Sequence, residues 1–136
     1  MPKSTDTADD TLDAILRAVD PAWRSGASRY IALYTATPGV GGSATTNESA
    51  YGSYARVTVT AATGFTAASA ASSSNTGLIQ FPECTSGSET ITYVAIVTTA
   101  SGAGQILYFG ALTASRAIST GIQPQFAIGA LVATES

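Results

Sequence analysis

Residues 91–112, ITYVAIVTTASGAGQILYFGAL, limit the fold more than any other stretch of the chain. Two runs rich in β-branched and aromatic residues, 91–97 and 105–112, flank a Thr/Ser/Gly/Ala segment that contains Gly102 and Gly104, the composition of a hairpin. In the first run, strict alternation puts Ile91, Tyr93, Ala95 and Val97 on one face and Val94 and Ile96 on the other. Both faces are then largely apolar, which predicts a strand covered on both sides, inside a sandwich.

The rest of the chain repeats that grammar. RYIALYTA, from Arg29, is apolar on both faces and reads as a second inner strand. Residues 37–52, punctuated by Pro38, Gly39, Gly41 and Gly42, lack periodicity and read as a surface loop. Residues 54–61 alternate as a half-buried strand with Arg56 on its wet face, and the Ala/Ser/Thr/Gly-rich segment 61–75 suits extended structure with a short strand near Phe65. Leu78, Ile79 and Phe81 make a short strand closed by Pro82. Further strands are predicted at 114–120 and, as one terminal run, at 125–133. Seven or eight short strands joined by Gly/Ser/Thr turns predict an all-β fold, a jelly-roll-like antiparallel β-sandwich.

Only the N-terminus reads as helix. Leu12, Ile15, Leu16 and Val19 recur at helical spacing, Asp9, Asp10 and Asp13 complement the helix dipole, and Thr7 with Asp10 suggests a cap, so a helix is expected over 8–19. Asp20 before Pro21 ends it, and a short turn through Trp23 stops at Gly26. The chain therefore divides into an N-terminal helical arm, 1–26, and a β-sandwich domain, 27–136.

The residue inventory argues against catalysis. There is no histidine, Lys3 is the sole lysine, and the carboxylates of the β body, Glu48, Glu83, Glu89 and Glu135, fall on loops or ends without grouping. Asp9, Asp10 and Asp13 could hold a hard cation, but dipole complementarity and solvation explain them better, so neither a metal nor another cofactor is expected. Cys84, the only cysteine, excludes an intrachain disulfide and reads as a small packing residue. A net charge of -3 without a basic cluster argues against nucleic acid. A polar, acidic start and the lack of a long apolar run argue against export or membrane insertion, and predict synthesis in the cytoplasm.

Two features ask for partners. The apolar stripe Leu12, Ile15, Leu16 and Val19, with Trp23 beyond it, must be covered by the chain's own sandwich or by a neighbouring subunit. Among six tyrosines, Tyr51 and Tyr54 lie near the long loop, where with Arg56 they could form a contact surface for protein or sugar. For Arg56 the favoured alternative is a structural pair with Glu48 or a loop carbonyl.

The order of segments is also informative. An acidic amphipathic helix, RYIALYTATPG, a GG loop, YGSYARV, the stretch from Asn75 to Pro82, YVAIV, ILYFGAL and a closing FAIGAL together resemble a family of small tailed-bacteriophage virion proteins. Its members are described as capsid cement or decoration proteins and as tail-fibre-like proteins. The resemblance implies a virion protein on the capsid exterior that binds the major capsid protein and itself, as a dimer or trimer, and stabilises the shell. Its alternative is a tail or tail-fibre component that binds a host glycan or receptor.

Overall fold

The structure is a computed structural model that describes residues 1–135. A helix, α1 (Thr5–Arg17), and a 3-10 turn (Ala22–Ser25) precede eight strands: β1 (Ser28–Tyr34), β2 (Val57–Thr60), β3 (Ser72–Ser74), β4 (Ile79–Gln80), β5 (Glu89–Val97), β6 (Ile106–Ile118), β7 (Gln125–Phe126) and β8 (Val132–Thr134). All pairings are antiparallel. One four-stranded sheet runs β2-β1-β5-β6, and two ribbons, β3-β8 and β4-β7, supply the second layer of an all-β sandwich.

The central strands are covered on both sides, as their composition requires. In β1 and β5, Ile31 stands opposite Ile96 and Leu33 opposite Val94. These four side chains pack with Leu107 against Ile79, Phe81 and Leu131 of the ribbon layer. On the reverse face Ala32, Tyr34, Ala95, Val97, Ile106 and Phe109 form a second core. Its cover is the long loop. Ala44 is buried there, the Tyr34 hydroxyl donates to the Ala44 carbonyl at 2.8 Å, and the Ala44 N–H donates to Gly104 in the hairpin turn at 2.9 Å. Residues 37–52, expected as a surface excursion, are thus part of the core wall. The loop folds so tightly that a Cβ on Gly42 would collide with the Pro38 carbonyl, which makes glycine necessary at that point.

Several boundaries differ from the sequence reading, and four of them have a visible cause or consequence. The helix starts a turn earlier, because Ser4 and not Thr7 caps it, accepting from the Thr7 N–H at 3.3 Å. It also stops earlier, at Arg17, where Ala18 takes a left-handed conformation with φ 55°. Residues 114–118 continue β6 instead of forming a new strand. The expected terminal strand is broken into β7 and β8 by a turn through Gly129, whose φ is +78°. In that gap Asn75, 1% exposed, replaces the missing ladder: its amide donates to the carbonyls of Gly77 (2.7 Å) and Ala127 (2.9 Å) and its oxygen accepts from the Leu131 N–H (2.9 Å).

The alternation in β5 also breaks. Ile91 belongs to the core of Val94 and Ile96, not to the face of Tyr93. The change falls at Thr92, where the register slips: Ile91 stands opposite Arg116 but Tyr93 opposite Ala111, so residues 112–115 of β6 face Thr92 alone.

Candidate functional site

Helix α1 docks with its polar side. The hydroxyls of Ser4 and Thr7 both donate to the Ile106 carbonyl at the start of β6, the latter at 2.7 Å. The Gln105 amide donates to Thr7 Oγ1 and to Asp10 Oδ2, each at 2.9 Å, and the Trp23 indole N–H donates to the same Asp10 oxygen at 2.9 Å. At about 100° per residue Thr7, Asp10 and Ala14 line up on this docked face, so Leu12, Ile15 and Leu16 are carried to the far side. They are 55%, 72% and 75% exposed, and Val19 just beyond the helix is 45% exposed. Trp23 packs at the edge of the main core. Of the two covers the sequence allowed for this stripe, the chain's own sandwich does not supply one.

The second expected surface is an internal junction. Tyr51 is 4% exposed, with its hydroxyl donating to the Pro82 carbonyl at 2.7 Å, and burial pushes its phenol up to about 12. Tyr54 is half-buried, stacks on Phe81, donates to Glu48 Oε1 at 2.9 Å and accepts from the Leu33 N–H at 3.1 Å. Burial raises its pKa as well. Arg56 is 9% exposed and grips Glu48 through two parallel bonds, Nε to Oε1 at 2.7 Å and Nη2 to Oε2 at 2.8 Å. Its remaining protons go to the carbonyls of Thr99 (2.9 Å) and Gly102 (2.8 Å) and to Thr99 Oγ1 (3.0 Å). The hydrogen bond to Glu48 is the main reason its pKa is raised. The long loop, the start of β2 and the hairpin turn therefore meet at one arginine, and the polar atoms of Tyr51, Tyr54 and Arg56 are engaged within the chain.

Glu89 has a similar structural duty, accepting from the Ser49 hydroxyl and from the N–H groups of Ala50 and Tyr51 at 3.2 Å each. Among the described residues no cluster of three His, Cys, Asp or Glu is placed to hold a metal, and no helix is long and apolar enough to cross a membrane. One residue escaped the sequence reading altogether. Arg116 is the only charged residue between Glu89 and Glu135, an isolation visible in the sequence, and it lines a cleft of about 590 Å³.

No curated protein matches the chain. A family model described as Podophage GP4 fiber I protein gp80 matches residues 2–134, nearly the whole chain. The chain belongs to this family of phage structural proteins of the fibre type.

Proposed function

We propose that this protein is a non-catalytic fibre subunit of the virion that attaches to its neighbours through the outward face of α1. The observation that carries the reading is the inverted docking of that helix. Its polar side is satisfied on β6 while Leu12, Ile15, Leu16 and Val19 stand in solvent. A contiguous apolar patch of this kind is a contact surface in search of a partner. A second copy of the chain or an adjoining virion protein would cover it, and repetition around a symmetric particle would turn a modest contact into avidity.

The triple variant Leu12→Ser, Ile15→Ser, Leu16→Ser tests it. It should fold with an unchanged melting temperature, because the three side chains touch little of the sandwich, yet fail to enter virions in a complementation assay. Normal incorporation would remove α1 from the attachment site.

The capsid-cement reading, with the major capsid protein as partner, draws on the segment order noted above and uses the same helix face. Copy number per virion separates the two. A ratio near one per major capsid protein supports a shell protein that stabilises the head by binding only the assembled state. A handful of copies supports the fibre.

A further inference from the structure

Unused polarity collects in one place on this molecule. Where residues 112–115 leave the β5-β6 ladder, a cleft of about 590 Å³ opens between that excursion and β7. Leu33, Ile91 and Phe126 make its floor apolar, and the Phe126 ring is held edge-on against Phe81 with centroids 6.4 Å apart. Thr113, Arg116, Gln123 and Gln125 make its rim polar, and no acidic residue lines it.

Arg116 is singular among the cations. Lys3, Arg17, Arg24 and Arg56 pair with carboxylates and Arg29 donates to the Gly26 and Ser28 carbonyls, while Arg116 has no partner among the described residues. In a chain of net charge -3 that is not for want of acids. Bulges characteristically re-aim side chains, and this one puts the unpaired guanidinium beside two exposed amides over a hydrophobic floor.

We propose that the cleft binds a saccharide bearing a carboxylate, with Arg116 holding the carboxylate, Gln123 and Gln125 the ring hydroxyls, and Phe126 the apolar C–H face of the sugar. The guanidinium fork matches a carboxylate in two parallel hydrogen bonds. Amides both donate and accept, as vicinal hydroxyls do, and the volume is that of a small-ligand cleft. An acidic peptide would rely on an evenly spaced backbone edge of β6, and the bulge at residues 112–115 interrupts that spacing beside the cleft. The site serves the protein equally on a fibre or on a shell, so its failure and the failure of the attachment reading are independent.

Calorimetric titration of the full chain with oligomers of galacturonate, mannuronate and sialate, against a neutral maltooligosaccharide and oligoglutamate, tests the proposal. At least one uronate or sialate oligomer should bind, and Arg116→Gln should weaken it about tenfold or more, the usual cost of losing a charge-assisted pair. Gln123→Ala should weaken it less, and Arg29→Gln should leave it unchanged. Matching melting curves certify the fold of each variant. Failure of all three acidic saccharides, equal binding by Arg116→Gln, equal binding of the neutral sugar, or binding of oligoglutamate alone would overturn the assignment.

Discussion

Arg56 and Arg116 carry the same guanidinium into opposite surroundings: one is enclosed between the long loop and the hairpin turn with every donor used, the other stands over a cleft with no partner among the described residues. Burial makes the first a structural necessity, since a charge removed from water must be matched completely. Exposure leaves the second free for something that is not part of the chain. Position in the sequence gives no hint of this, because both follow a small residue near a strand end. What separates them is the neighbourhood of carboxylates, with Glu48 eight residues from Arg56 and no acid within 18 residues of Arg116.

Removing each arginine is the sharpest way to break the comparison. Arg56→Ala strands Glu48 half-covered and unpaired, and should cost about 3–5 kcal/mol in denaturant unfolding. Arg116→Ala should change stability by no more than about 0.5 kcal/mol. A large loss at Arg116 would mean that it, too, is structural.

Asn75 sharpens the point with a neutral side chain. Asn75→Ala leaves the buried Leu131 N–H without an acceptor and two carbonyls without donors, and should destabilise by about 2–3 kcal/mol. Hydrogen exchange should show the loss concentrated in β7 and β8. Uniform loss across the four-stranded sheet would deny Asn75 its local role.

Glu135 is the intermediate case, paired yet largely exposed. Burial works against its ionisation, but hydrogen bonds from Lys3 and Tyr108, with the charges of Lys3 and the N-terminus, outweigh that and hold its pKa below the ordinary 4.5. A carboxylate with a depressed folded pKa contributes fully above its unfolded value and loses that contribution as pH falls through the folded one. Acidification below about 4.5 should therefore loosen β8 from Tyr108, and a Glu135→Gln variant should show no such step. The effect should be the smallest of the three and should shrink in high salt.

Much of the sandwich was legible in the sequence because its signals are local. Two runs around Gly102 and Gly104 write a hairpin, and Leu12, Ile15 and Leu16 at helical spacing write a helix. The departures come from long-range partners that no window contains. The helix is capped at Ser4 because the hydroxyls of Ser4 and Thr7 both bind the distant Ile106 carbonyl, and the terminal run breaks because Asn75, some fifty residues earlier, offers its amide to Ala127. The slip at Thr92 leaves no periodic trace, since residues 112–115, LTAS, alternate as well as any strand. The outward helix face was legible as a stripe, but which side would dock was not. The polar side docks because it satisfies one carbonyl and two side chains.

The docking of α1 also decides how force would travel through the molecule. Residues 2–7 lie along the outer edge of β6, where the Phe109 N–H donates to the Pro2 carbonyl at 3.0 Å and Ser4 and Thr7 converge on Ile106. A pull on Leu16 by a neighbouring subunit would be borne first by these few bonds, with those of Gln105 and Trp23 to Asp10 and of the Thr5 N–H to the Val40 carbonyl. They would give way before the β5-β6 ladder behind them. The arm would then act as a mechanical fuse, peeling from the sandwich and baring an unpaired strand edge while the two cores stayed shut.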